Sequence, residues 1–190
     1  MKAILLAASV FFVASMAQGA VITYSAVLSG PNESPANVSP GTGIAFVTID
    51  DVANTMRVQV SFTGLTGTTT ASHIHAATTV AGTGTAGVAT TTPSFTGFPL
   101  GVTSGSLDQT YDMPLAFSYN AAYVTANGGT QASAFAALQG SVAGGTAYFN
   151  IHTSTFAGGE IRGFLGAVPE ASTSMLGLVG LGLMLGRRRK

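Results

Sequence analysis

The clearest pattern in the chain is an alternation of apolar and polar positions over residues 55–62. The apolar positions are Met56, Val58, Val60 and Phe62. A period of two indicates a β-strand with one face in a core and the other in water. An apolar run at residues 43–49 precedes this strand, and residues 50–54 between them are rich in Asp and Asn, which tolerate the backbone angles of tight turns. The two runs therefore predict an antiparallel β-hairpin.

The same kind of pattern predicts further strands and one helix. The additional strands fall at residues 23–28, 72–75, 147–153 and 160–165, and the last two form a closing hairpin. A second hairpin is predicted at residues 101–111. Residues 131–142 predict a helix, because Thr130 can cap its start and three apolar residues fall on one stripe. Those residues are Phe135, Leu138 and Val142. The chain is thus expected to be all-β with one short helix.

Each end of the chain carries an apolar run beside basic residues. Residues 1–20 have the layout of a secretory signal peptide that signal peptidase removes. Residues 167–190 combine a short motif, an apolar run and a basic end, and the run is shorter than the ~20 residues of a membrane span. The residues of this tail that define the layout are Pro169, Glu170, Arg187, Arg188 and Arg189. The tail predicts a transient inner-membrane anchor that is cut, or else a plain C-terminal anchor. Two apolar targeting helices would then flank a domain at residues 21–166.

Composition restricts the chemistry that this domain can perform. The chain contains no Cys, which excludes a disulfide, a thiolate metal site and a cysteine nucleophile. Between residues 21 and 166 the only cations are Arg57 and Arg162, so no basic patch exists there for nucleic acid. The stability of an exported domain of this kind must come from its core, its hydrogen bonds or a bound ion.

All three histidines lie in two predicted strands. His73 and His75 are two residues apart, so both side chains project to one face of their strand. If the strand of His152 is a neighbour, three imidazoles converge into a donor set that suits Zn or Cu. Alternatively, the histidines donate hydrogen bonds to loop carbonyls and order the Gly-rich loops. The residues predicted to face the core instead are Ile74, Phe149 and Ile151.

Glu160 and Arg162 share one face of the last predicted strand. One interpretation is a partly exposed ion pair, which would contribute ~0–1 kcal/mol. The other is that they support a metal site at the histidines, with Glu160 accepting a hydrogen bond from a histidine N–H and fixing its tautomer.

Several segments, in order along the chain, resemble the CHRD domain, a module first named in chordin. They are Ser72-His73-Ile74-His75, residues 122–130, residues 147–153 and Gly159-Glu160-Ile161-Arg162-Gly163. The resemblance covers about residues 21–166 and implies an immunoglobulin-like or Greek-key antiparallel β-sandwich. It implies no particular activity. The strand with His73 and His75 also resembles copper–zinc superoxide dismutases, but those enzymes need several more histidines than this chain has.

The C-terminal tail resembles a PEP-CTERM sorting signal of Gram-negative bacteria, which exosortases process. Pro169-Glu170 and the Arg cluster carry the resemblance, and Ala171 stands where that family usually has Pro. The resemblance implies a bacterial protein that is exported, held briefly in the inner membrane and then released to the cell envelope or extracellular matrix.

These observations predict a secreted protein with a non-enzymatic binding or structural role and no catalytic residues. Its expected partners are signal peptidase, an exosortase-type enzyme, the inner membrane, and exopolysaccharide or matrix proteins, but not nucleic acid. The alternative function is binding of Zn or Cu by His73, His75 and His152, with an oxidoreductase activity as a further option.

Overall fold

The structure is a computed structural model that describes residues 20–169. The predicted signal peptide, apart from its last residue, lies outside this range, as do both apolar targeting helices. Of the sorting-motif residues, only Pro169 is described; Glu170, Arg187, Arg188 and Arg189 are not. None of the helices within residues 20–169 has the length and apolar character needed to cross a bilayer.

The described residues form a mostly β domain with two short helices. The strands are β1 (Val21–Ser29), β2 (Thr42–Asp50), β3 (Thr55–Thr63), β4 (Thr69–His75), β5 (Gly105–Asp112), β6 (Tyr148–Thr153), β7 (Ile161–Phe164) and β8 (Gly166–Ala167). The helices are α1 (Ala121–Ala126) and α2 (Gln131–Ala143). All strands pair antiparallel in one sheet with the order β4-β6-β7-β1-β2-β3-β5, and β8 lies beside β1.

The hairpin predicted from alternation is confirmed as β2 and β3. The two strands pair without a break from Thr42 opposite Thr63 to Asp50 opposite Thr55. The four alternating apolar side chains of β3 are buried, as expected for a strand with one face in the core and the other exposed to water. In the turn, Asn54 adopts a left-handed φ of 54°, which Asn tolerates better than most residues.

The sheet curls so that its first and last strands approach each other. At the start of β4, Thr69 donates its N–H to the carbonyl of Val102 and accepts from the N–H of Gly101, both at 2.8 Å. These loop residues lead directly into β5, so backbone hydrogen bonds connect the two ends of the strand order. One continuous hydrophobic cluster fills the space between the two halves of the sheet. The arrangement is compatible with the predicted β-sandwich.

The hairpin predicted at residues 101–111 is wrong. Only residues from Gly105 onward form a strand, and β5 pairs along its whole length with β3, from Phe62 opposite Gly105 to Thr55 opposite Asp112. The preceding residues cannot fold back on β5, because their backbone groups bond to the segment before β4.

Helix α2 confirms the prediction, and α1 adds a second helix to the single one expected. Thr130 forms a capping box with Ser133, in which each side chain bonds to the backbone of the other. The predicted stripe of Phe135, Leu138 and Val142 is buried against the sheet cluster. Helix α1 forms because Asn120 caps it, its side-chain oxygen accepting from the N–H of Ala122 at 3.0 Å.

Strands β4 and β6 are neighbours, and a loop covers the outer edge of β4. Ile74 lies opposite Phe149 in the ladder, and both side chains are fully buried, as is that of Ile151. Along the outer edge, Ile74 accepts from the N–H of Ala89 and Ser72 accepts from the N–H of Phe95, both at 2.9 Å. The long loop between β4 and β5 therefore follows β4 and encloses the side chains that point away from the core.

Candidate metal centre

The three histidines form one cluster on the face of β4 and β6 that points away from the hydrophobic core. The ring of His73 lies 4.7 Å from each of the other two rings, and the rings of His75 and His152 are 5.9 Å apart, centroid to centroid. One ring nitrogen from each histidine lies within 4.8 Å of those of the other two. The predicted convergence is confirmed, because the two strands pair directly.

A backbone carbonyl holds the Nδ1 atom of each ring. His73 donates from Nδ1 to the carbonyl of Pro93 at 3.1 Å, and His75 donates to that of Ala86 at 2.8 Å. His152 donates to the carbonyl of Ala157 at 2.9 Å, in the loop that follows its own strand. Because a carbonyl oxygen can only accept, each Nδ1 must carry the proton, and each neutral ring then keeps a free lone pair on Nε2.

The three Nε2 atoms are all buried, and none has a hydrogen-bond partner among residues 20–169. This holds even for His152, whose side chain as a whole is partly exposed. Buried polar atoms in proteins almost always find a partner, because an unpaired one costs about 1–3 kcal/mol. Three such atoms in one cluster of rings therefore call for an explanation.

Protonation does not supply that explanation. Burial, together with the charges of the neighbouring His75 and His152, lowers the pKa of His73 to about 3. Burial likewise lowers the pKa of His75 to about 4 and depresses that of His152. At neutral pH all three rings are therefore neutral bases, which is the form that binds a metal ion.

The geometry fits a metal ion after a small adjustment. Three nitrogens at a ligand distance of about 2.0–2.1 Å lie roughly 3.3–3.6 Å apart. Nitrogens 4.8 Å apart at most would each have to move inward by about 0.7 Å, a shift in line with apo sites that tighten on binding. Within the described residues, the cluster contains no further His, Cys, Asp or Glu.

The predicted hydrogen bond between Glu160 and a histidine is not formed. The Glu160 carboxylate is fully buried and accepts from Ser39 Oγ and Thr153 Oγ1, each at 2.6 Å, and from the backbone N–H groups of Thr66 and Gly67. Burial alone would raise its pKa, but these four donors outweigh burial and lower it. Glu160 therefore joins the loop of Ser39 and the loop of Thr66 and Gly67 to β6, and the histidine tautomers are fixed by carbonyls instead.

Arg162 does not pair with Glu160 either. It lies 3.7 Å from the Glu33 carboxylate, and both side chains are buried. It also donates to the carbonyls of Asn32 at 2.6 Å and Gly84 at 3.1 Å. Tyr148 connects Arg162 to the histidine cluster: the Arg162 guanidinium lies 4.7 Å from the Tyr148 ring, which stacks on His75 at the same distance.

Glu33, which lies beside Arg162, is a buried charged residue that the sequence did not single out. Burial raises the pKa of Glu33 to about 7, although the charge of Arg162 opposes this. Its position in a Pro-flanked loop gave no hint of burial. Tyr148 lies four residues before His152, so the sequence predicts it on the same strand face, and its ring stacks on His75 there.

Comparison with known proteins places this geometry in a family. The model of the family described as "CHRD domain" matches residues 24–165, about three quarters of the chain. The match includes both histidine strands and the loops whose carbonyls hold the rings. No curated protein and no solved structure matched the chain.

Proposed function

This chain belongs to the CHRD domain family, and on that premise we propose that it is an exported, non-enzymatic protein whose domain binds one transition-metal ion. Membership in this family suggests a binding or structural role outside the cytoplasm. The ligands would be the Nε2 atoms of His73, His75 and His152, and the ion would be Zn or Cu. The curled sheet would be an immunoglobulin-like or Greek-key β-sandwich.

The single observation that carries the proposal is the convergence of three buried, unpartnered Nε2 atoms. A folded domain could fill the same space with apolar side chains at no polar cost. A cation that accepts all three lone pairs removes the penalty of leaving them unpaired. The carbonyls on Nδ1 also correspond to the outer partners that metal-bound histidines have in other proteins.

The ion would stabilise the fold by connecting separate parts of the chain. Its ligands lie on β4 and β6, and through their Nδ1 atoms they hold the loops at Ala86, Pro93 and Ala157. Binding free energy to a site that exists only in the folded state adds to the free energy of unfolding. In an exported domain without Cys, such a link would supply the stability that disulfides supply in other secreted domains.

Cellular fate is the part of the proposal that depends on the ends of the chain. Removal of residues 1–20 by signal peptidase and exosortase-type processing at Pro169-Glu170 would bring the domain to the cell envelope or matrix. A brief inner-membrane stage and association with exopolysaccharide or matrix proteins belong to the same proposal. The basis for it is the layout of residues 1–20 and 167–190.

The test measures metal content and melting temperature of the protein purified without a histidine tag, with and without chelator. We expect about one ion per chain. At an ion concentration of about 100 Kd, mass action adds ~2.7 kcal/mol of stability, which corresponds to a rise in melting temperature of roughly 5–10 °C.

Two variants make this test specific. The double variant His73→Ala/His152→Ala should lose both the ion and the metal-dependent shift. Val47→Ala, a fully buried β2 residue far from the site in the strand order, should melt lower but keep the ion and the shift. If the wild type binds no ion, and neither Zn nor Cu changes its melting, the histidines only order loops and the proposal is wrong.

A further inference from the structure

The charge of the ligand set limits which ion the site can hold. All three ligand atoms belong to neutral imidazoles, and no carboxylate among the described residues joins them. The two buried carboxylates among the described residues are engaged elsewhere: Glu160 with four donors of its own, and Glu33 with Arg162. The full charge of a bound ion would therefore remain within the site.

The site is also dry and has a cation nearby. Each Nε2 atom is out of contact with solvent. The Arg162 guanidinium lies over Tyr148, the ring that stacks on the ligand His75. The free energy needed to bury an ion rises with the square of its charge, so a divalent ion costs about four times as much as a monovalent ion of the same size. Repulsion from Arg162 adds twice as much for the divalent ion.

The number of ligands points in the same direction. Zn²⁺ in proteins is almost always four-coordinate, and with three protein ligands it keeps a water or substrate in the fourth position. Here a fourth ligand would have to be buried together with the ion. Cu⁺ has a closed d shell, is stable with three ligands in a plane, and accepts imidazole nitrogen.

We propose that the three-histidine site selects monovalent, three-coordinate Cu⁺ over Zn²⁺. This inference rests on the proposed function, since it names the ion for the same site. It involves binding only, with no change in oxidation state of the ion at the site.

The experiment is an anaerobic competition with the full chain, purified without a histidine tag. One arm offers Cu⁺ buffered by bicinchoninate, and the other offers Zn²⁺ buffered by a chromophoric zinc chelator. We expect one Cu⁺ per chain, silent in electron paramagnetic resonance, and a dissociation constant for Cu⁺ at least about 100-fold below that for Zn²⁺, or ~2.7 kcal/mol.

His152→Glu is the matched variant, because a Glu carboxylate reaches about as far from Cβ as Nε2 does, so three ligands are kept while one negative charge is added at the most exposed position of the site. It should shift the ratio of the two dissociation constants toward Zn²⁺ by at least tenfold. If the wild type binds Zn²⁺ as tightly as Cu⁺ or more tightly, or if the ratio does not change in His152→Glu, the ion selectivity is refuted while the metal site stands. If neither ion binds to the wild type, the proposed function itself fails.

Discussion

Replacing Glu160 by Gln should destabilise the domain strongly, although the two side chains have nearly the same shape. The carboxylate is fully buried and accepts four hydrogen bonds, two from hydroxyls and two from backbone N–H groups. Each carboxylate oxygen accepts two of these hydrogen bonds. In Gln an NH₂ group, which only donates, replaces one of the two oxygens, so two of the four donors lose their acceptor. Thr153 can rotate its hydroxyl to accept, but the N–H of Gly67 cannot.

The size of the effect follows from these contacts. An unpaired buried N–H costs about 1–3 kcal/mol, and hydrogen bonds to a charged acceptor contribute roughly 1.5–3 kcal/mol each, more than those to a neutral one. Together these changes predict a loss of about 3–4 kcal/mol out of a total stability of about 5–15 kcal/mol. The measurement is urea denaturation at pH 7, compared with Asp108→Asn, which weakens an exposed ion pair with Arg57 and should cost at most about 1 kcal/mol.

The pH dependence provides a second check on Glu160. Because its pKa is lowered in the folded state, the carboxylate contributes stability above its unfolded pKa of about 4.3 and loses that contribution as pH falls through the folded pKa. The stability difference between wild type and Glu160→Gln should therefore shrink in acid. An unfolding midpoint for Glu160→Gln equal to that of wild type at pH 7 would refute the structural role assigned to this carboxylate.

Three further predictions concern other parts of the domain. Gly163→Ala should lower the free energy of unfolding by about 1–3 kcal/mol, because a Cβ there would overlap the backbone carbonyl of Val27. The control is Gly158→Ala, whose Cβ would meet nothing within 4 Å and which should fold normally in the same urea denaturation assay. Thr130→Ala should cost about 1 kcal/mol by removing the cap of α2, seen as reduced thermal stability and earlier fraying in circular dichroism. With chelator present, the free energy of unfolding of wild type should fall relative to that of His73→Asn as pH decreases from about 6.5 toward 3. The reason is that His73 binds a proton in the unfolded state but, being buried, stays neutral in the folded state. A stability difference that is constant with pH would contradict this.

Local patterns predicted those parts of the fold in which neighbouring residues decide the structure. The alternation in β3 fixed which side chains are buried, and Thr130 with the apolar stripe fixed the start and the inner face of α2. The same rule of two residues per repeat placed His73 and His75 on one face. Only the assumption that their strand lies beside that of His152 went beyond local information, and the pairing of β4 with β6 confirmed it.

Such local patterns could not predict the contacts between segments that are distant in the sequence. The partner of β5 is β3, more than forty residues earlier, and nothing within residues 101–111 encodes that choice. Three of the four donors to Glu160 come from the distant residues Ser39, Thr66 and Gly67, and two of these are backbone groups whose positions depend on how the loops pack. A carboxylate and an arginine two residues apart therefore suggested a pair, while each finds its partners elsewhere.

The two interpretations of the histidines, ordering of loops and binding of a metal, describe the two nitrogens of the same rings. Donation from Nδ1 to the carbonyls of Pro93, Ala86 and Ala157 fixes the loops, and by fixing the tautomer it also leaves the lone pair on Nε2. Loop ordering alone would be served by any side chain with one donor, such as Asn or Gln. Such a side chain would not leave three buried, unpartnered acceptors in one cluster. The convergence of the Nε2 atoms is thus the feature that loop ordering leaves unexplained, and an ion accounts for it together with the carbonyl contacts.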